Sequence, residues 1–277
     1  MAEDRTWMRG SDERAPSADL HPEVAHPARV YDVWLGGKDN FASDRAVAEQ
    51  LAAMTPDVVN AARANRAFLG RAVRAVSGLG VSQFLDIGTG IPAAGNTHQV
   101  AQQADPSARV AYVDNDPIVL THARALMSGS GHGATTVTQA DLRDPEAILS
   151  APGVRDLLDF SRPVALMLVA VLHFVGDDED PQGVVKRLLE ALPGGSYLIL
   201  SHGTGDTLPQ DLADRAEQTY DQAAAHLHLR PRPEVERFFG SGELLEPGLV
   251  LAPFWRPDGP LSPDADRLGI YVGVARY

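Results

Sequence analysis

From residue 81 onward, short apolar runs alternate with stretches of helical periodicity, and this alternation constrains the fold more than any other feature of the sequence. A strand that is buried on both faces is apolar throughout, and a helix between consecutive runs allows neighbouring strands to lie parallel. Asp-Pro pairs at 116–117 and 180–181 mark helix starts, because Asp caps a helix and proline is tolerated in its first turn. We therefore predict an α/β fold whose first five strands lie near residues 82–87, 109–113, 135–139, 163–170 and 196–201.

Two further apolar runs, residues 249–254 and 269–277, follow a polar helix that is predicted near residues 209–229. Too few residues separate the two runs for a helical crossover, so we expect them to pair in antiparallel. Together with the first five strands they predict a mostly parallel, seven-stranded sheet with an antiparallel C-terminal strand pair.

Three parts of the chain differ in composition. Residues 1–27 are rich in proline and charge and predict a flexible arm. Residues 28–80 contain two helical patterns that Ser43 and Asp57 can cap, which predicts an N-terminal helical cap. Residues 81–277 then form the domain that contains the sheet.

The composition excludes several classes of function. The 277-residue chain has a net charge of −13 and no basic stripe, so we expect no nucleic-acid partner. No run of about 18 apolar residues is present and residues 1–27 lack a secretion signal, which predicts no membrane association and a cytoplasmic location. The chain has no cysteine and its nine histidines form no H-E-x-x-H pattern, so we expect no metal site. A small molecule is the expected partner.

The stretch FLDIGTGIPAAGN, residues 84–96, predicts a strand end, a tight turn and a helix start. Gly88, Thr89 and Gly90 form the turn, where glycines allow the backbone to approach a ligand closely, although a turn without a ligand uses them too. Asp86 disfavours a dinucleotide, because its carboxylate would face the pyrophosphate. The proline of this stretch removes a backbone donor that phosphate would need. S-adenosylmethionine carries an ammonium and a sulfonium but no phosphate, and it meets neither objection.

Polar side chains also follow the next two predicted strands. Asp114 and Asn115 stand at the end of the second strand, and Asp141 and Leu142 follow the third. The carboxyl ends of parallel strands meet at one edge of a sheet, so we expect these residues near Asp86. Asp114 can accept hydrogen bonds from both ribose hydroxyls of a nucleoside cofactor. Asp141 can accept from an adenine amino group, or it can act only as a helix cap or loop carboxylate.

The order FLDIGTG, VDNDP and QADL resembles the class I S-adenosylmethionine-dependent methyltransferases, which have a Rossmann-like fold. ARVYDVWLGGKDNF and PGLVLAPFWRP resemble an actinobacterial S-adenosyl methyltransferase family that was formerly a domain of unknown function. The resemblance implies S-adenosylmethionine as cofactor and S-adenosylhomocysteine as product. It implies that Asp86 and Gly88 lie near the methionine end of the cofactor, Asp114 at the ribose, and Asp141 with Leu142 at the adenine. A proline replaces the third glycine of many class I enzymes.

The stretch WLGGKDNF, residues 34–41, contains a Gly-Lys pair but is no phosphate loop, because Asp32 stands where that motif requires glycine. A solvated turn uses the same residue types. Class I methyltransferases commonly close the cofactor cleft with residues that precede the first strand. By that resemblance we expect the motif to cover the cofactor and to form one wall of the acceptor pocket, with Tyr31, Lys38 and Asn40 as polar contacts.

His173 follows the fourth predicted strand, at the sheet edge where open α/β sheets bind ligands. An imidazole there can act as a general base toward a methyl acceptor, or can line the pocket without transferring a proton. The sequence leaves three functions open: a methyltransferase acting on a small or medium-sized acceptor, a protein that binds S-adenosylmethionine without turnover, and a nicotinamide oxidoreductase, which Asp86 disfavours.

Overall fold

The computed structural model describes residues 21–121, 134–221 and 223–277, and these contain one eight-stranded sheet. Residues 1–20 of the predicted arm lie outside the described residues. The strands are β1 Gln83–Ile87, β2 Arg109–Asp114, β3 Thr135–Gln139, β4 Ala165–Val169, β5 Tyr197–Gly203, β6 Glu243–Leu244, β7 Val250–Leu251 and β8 Ile270–Arg276.

The sheet has the order β3-β2-β1-β4-β5-β8-β6, with β7 paired to β8 off this path. Strands β1 to β5 run parallel, whereas β8 pairs antiparallel with β5, β6 and β7. The predicted mostly parallel sheet with an antiparallel C-terminal pair is confirmed. The strand number is corrected from seven to eight within the described residues, because the two residues of β6 also pair with β8.

Helices connect the strands and precede the sheet. They are α1 Pro27–Leu35, α2 Ala42–Met54, α3 Val58–Gly78, α4 Thr97–Ala104, α5 Pro145–Ser150, α6 Pro152–Leu157, α7 Pro181–Glu190, α8 Gln210–Tyr220 and α9 Arg232–Arg237. Ser43 lies inside α2 and does not cap it, since the N-cap position is Phe41, whose amide donates to the Asp44 carboxylate at 2.7 Å. Asp180 caps α7 as predicted, with its carboxylate 2.9 Å from the Gly183 amide. Within the described part of the chain, no helix combines the length and the hydropathy that a membrane span requires.

Side chains of β1 alternate between two apolar cores, one on each face of the sheet. Phe84 packs in the core that contains α3, where the rings of Phe68 and Trp255 meet edge to face at 5.3 Å between centroids. Leu85 packs in the core of the opposite face, together with Leu188 of α7. A third, smaller cluster joins α1 and α2 to α8, so the N-terminal helices pack beside the carboxyl ends of the strands.

Candidate functional site

A cleft of about 300 Å³ lies between the carboxyl ends of β1, β2 and β4 and the helices α1, α3 and α8. It has two parts with different chemistry. The strand-tip half contains the turn and the polar residues predicted from the sequence, namely Asp86, Gly88, Thr89, Gly90, Asp114, Asn115, Asp141 and Leu142. The helical half is mainly apolar and aromatic and contains Tyr31, Trp34, Leu51, Asn65, Phe174 and Tyr220.

The turn after β1 requires glycine at both of its predicted positions. Gly88 has φ +74°, and a Cβ there would lie 2.5 Å from a methyl carbon of Val171. Gly90 has φ +67° and open space where a Cβ would stand. Thr89 is anchored, since its hydroxyl donates to the Asp86 carbonyl at 3.0 Å. The turn therefore presents backbone, rather than side chains, to the cleft.

Asp86 is a buried carboxylate at the floor of this turn. It accepts a hydrogen bond from the Thr97 hydroxyl at 2.6 Å and forms no ion pair with any described residue. Burial raises the pKa of Asp86 to about 6, against a smaller lowering effect of Thr97 and the more distant Arg66. A buried carboxylate in this state favours a cationic ligand, because a cation would restore the ionised form.

Asp114 holds the turn and its own loop together. Its carboxylate accepts from the Gly90 amide at 2.9 Å and from the Asp116 amide at 3.0 Å. Burial raises the pKa of Asp114 to about 6 despite these two hydrogen bonds. Each carboxylate oxygen has a second lone pair, so the group can still accept from a ligand hydroxyl.

Asp141 and Asn115 bridge the tips of β2 and β3, since the Asn115 amide donates to the Asp141 carboxylate at 3.0 Å. Burial alone would raise the pKa of Asp141, but hydrogen bonds from the Arg143 backbone and from Asn115 lower it below the usual value. Leu142 is buried beside this pair and lines the cleft. The predicted strand-tip residues are thus together at one edge of the sheet.

The structure brings only one of the three polar residues predicted from the N-terminal motif to the cleft. Tyr31 lines the cleft, whereas Lys38 and Asn40 do not, and Lys38 is exposed. The reason is local: the buried Asp32 carboxylate accepts from the Asn40 amide at 2.8 Å and from the Asp39 backbone at 3.1 Å. The loop therefore folds back onto α1.

His173 is buried and lines the cleft, but its hydrogen bonding does not favour a general base. Its Nδ1 accepts from the Gly203 amide at 3.1 Å, which leaves the proton of the neutral ring on Nε2. Burial, and then the neighbouring His202 and Arg230, hold the pKa of His173 well below its usual value. Ser201 and His202 are fully buried and do not line the cleft.

Sequence reasoning missed two polar residues of α3 that line the cleft, Asn65 and Arg66. Asn65 is 1% exposed, and the Arg66 guanidinium donates to the Asn96 side chain at 2.7 Å and to the Ala93 carbonyl at 3.2 Å. Arg66 thereby ties α3 to the segment after the glycine turn. The sequence did contain a signal for burial of these two residues, since both lie between the apolar positions Ala62 and Leu69 of the helix.

A family model described as S-adenosyl methyltransferase matches residues 13–277 of this chain. The crystal structure of a DUF574 family protein from Streptomyces avermitilis is 43% identical, with a TM-score of 0.89, and the match covers 93% of this chain and 99% of that one. A candidate methyltransferase from Thermobifida fusca is 42% identical, with a TM-score of 0.86, over 95% of this chain and 98% of that one. No curated protein matches the chain.

Proposed function

This chain belongs to the S-adenosyl methyltransferase family, and on that premise we propose that it methylates a small or medium-sized molecule bound in the helical half of the cleft. When bound, S-adenosylmethionine supplies a methyl group to an acceptor that loses a proton, and the electron pair of the broken carbon–sulfur bond stays on S-adenosylhomocysteine. The residues of the strand-tip half fit this cofactor. Asp86 would bind its ammonium, Asp114 its ribose hydroxyls, and Asp141 with Leu142 its adenine.

The observation that carries the proposal is the environment of Asp86. Its carboxylate is buried, it has no cationic partner among the described residues, and it lies at the base of a turn that presents only backbone. The ammonium of S-adenosylmethionine would supply the missing cation, whereas a pyrophosphate would add a second anion.

The helical half would align the acceptor and exclude water. Methyl transfer depends strongly on alignment, and an apolar wall holds a bound molecule against the strand tips without competing for its polar groups. We propose that the helices before β1 serve as this cap, because α1 and α3 supply residues to the helical half and Arg66 of α3 also contacts the segment after the β1 turn.

Calorimetry with the full-length protein tests the proposal. S-adenosylmethionine and S-adenosylhomocysteine should bind in micromolar or tighter range, and NAD should not bind. Binding of NAD in preference to both sulfur compounds would contradict the assignment. Incubation with methyl-labelled cofactor and a metabolite extract should then transfer label to a small molecule, whereas binding without any transfer would favour a sensor.

A further inference from the structure

The amide of Asn65 has a defined orientation within the wall of the cleft. Its Nδ2 donates to the Tyr31 hydroxyl at 3.0 Å, and that hydroxyl donates to the Ala62 carbonyl at 2.8 Å. Burial raises the pKa of Tyr31 to about 12, so the hydroxyl keeps its proton at neutral pH. Since this proton is directed to Ala62, the tyrosine can only accept from Asn65, and the amide nitrogen must face it.

This orientation leaves the Oδ1 atom of Asn65 buried and without a hydrogen-bond partner in the described part of the chain. A buried acceptor without a partner costs roughly 1–3 kcal/mol, and a ligand that reached this atom from the cleft would regain that free energy by supplying a donor. An amide oxygen accepts hydrogen bonds and does not donate. The ligand must therefore carry an O–H or N–H group at this point.

The charge of the helical half constrains the same ligand further. The carboxylates nearest to the helical half already have partners. Asp32 accepts hydrogen bonds from the 37–40 loop, and Asp57 forms an ion pair with Arg267 at 3.1 Å. Arg267 is 57% exposed at the rim. Arg66 is directed to Asn96 and Ala93, on the side of the β1 turn, and its buried Nε has no hydrogen-bond partner among the described residues. A charged group placed among the apolar walls away from Arg66 would lose hydration without gaining a partner.

Aromatic side chains form much of this wall. The rings of Tyr31 and Trp34 meet edge to face at 6.4 Å, and those of Phe174 and Tyr220 lie 5.5 Å apart. Such faces and edges stabilise a flat ring beyond its buried area. Thr207 adds another buried atom without a partner in the described residues, its Oγ1, which can donate or accept.

We propose that the methyl acceptor is an uncharged, largely apolar ring compound whose hydroxyl or amino group donates a hydrogen bond to Asn65 Oδ1. The inference rests on the proposed function, and it gives Asn65 the role of orienting the group that receives the methyl.

Ligand-observed NMR with protein saturated in S-adenosylhomocysteine tests this, because no turnover competes. The probes are phenol and 2-naphthol, each compared with its methyl ether and with benzoate or 2-naphthoate. The hydroxyl compounds should bind about tenfold tighter than the ethers, the expected effect of one buried hydrogen bond, and the carboxylates should bind most weakly. Equal binding of hydroxyl compound and ether, or no binding of any probe, would overturn the proposal.

Asn65→Leu, compared with Asn60→Leu at an exposed position of the same helix, gives a second measurement. Asn65→Leu should abolish the preference for hydroxyl over ether and leave the affinity for S-adenosylhomocysteine nearly unchanged, and Asn60→Leu should change neither. A loss confined to S-adenosylhomocysteine would make Asn65 a cofactor contact and overturn the inference. If the parent protein itself fails to bind S-adenosylhomocysteine, the proposed function fails. If Asn65→Leu does not fold, the comparison of hydroxyl compounds with their ethers on the parent protein still tests the proposal.

Discussion

Asp86→Asn should stabilise the unliganded protein above pH 6 while weakening cofactor binding. The ordinary pKa of this group is 3.8, and burial raises it to about 6. That difference corresponds to about 3 kcal/mol at most, because one pKa unit is worth about 1.4 kcal/mol. The folded state has the higher pKa, so protonated Asp86 contributes this stability in full below pH 4. The contribution is lost, and the free energy of unfolding falls by this amount, as the pH rises through 6. An asparagine stays neutral and avoids the loss.

The assay is urea unfolding of ligand-free, full-length protein between pH 4.5 and 8. The free energy of unfolding of Asp86→Asn minus that of the parent should increase from pH 4.5 to about pH 6.5 and then level off, at about 1–3 kcal/mol. Asp156→Asn, at an exposed position of α6, is the matched control and should give a flat difference. A difference for Asp86→Asn that does not grow with pH would refute the argument that this carboxylate is ionised at a cost.

The same variant tests which end of the cofactor Asp86 faces. By calorimetry at pH 8, Asp86→Asn should bind S-adenosylmethionine more than tenfold more weakly, because the ammonium loses a buried opposite charge. Adenosine, which has no ammonium, should bind as it does to the parent. Equal losses for the two ligands would show that Asp86 does not face the methionine end.

Three further variants test other parts of the site. Asp114→Ala should weaken S-adenosylmethionine and adenosine alike by roughly 1–3 kcal/mol in calorimetry, because ribose hydroxyls lose their acceptor, and unchanged affinity would remove Asp114 from the site. Gly37→Ala should lower the melting temperature, since its Cβ would overlap the Asp32 carboxylate, whereas Gly70→Ala in α3 meets only an ordinary contact; equal melting temperatures would contradict this. His173→Ala should leave the affinity for S-adenosylmethionine nearly unchanged, because its Nδ1 already accepts from the Gly203 amide; a large loss of affinity would make it a cofactor contact.

The parallel sheet was predictable because β1, β2, β4 and β5 each contain an apolar run, and β3, with the sequence TTVTQ, is rich in β-branched residues. The strand Glu243–Leu244 was not predictable, since a strand of two residues with an exposed glutamate has no detectable periodicity. Only its pairing with β8 defines it. The start of α2 was misplaced for a similar reason. Ser43 and Asp44 both have capping side chains, and the fold places Asp44 within reach of the Phe41 amide.

The site was predictable where topology alone brings residues together. Asp86, Asp114 and Asp141 lie at or just after the ends of adjacent parallel strands, so their proximity is a consequence of the strand order. The positions of Lys38 and Asn40 depended on how a loop folds. The buried Asp32 binds that loop to α1 instead of leaving it over the cleft. Position in a helical pattern indicates that a residue such as Asn65 is buried, but not that its oxygen lacks a partner.

The N-terminal helices are fixed to both loops that would hold the cofactor. Arg66 of α3 donates to residues after the β1 turn, and Arg29 of α1 forms an ion pair at 3.8 Å with the Asp116 carboxylate in the loop after β2. A change in either loop therefore reaches the wall that contains Tyr31 and Asn65. We infer that cofactor binding and the shape of the acceptor pocket are coupled, because the same helices border both.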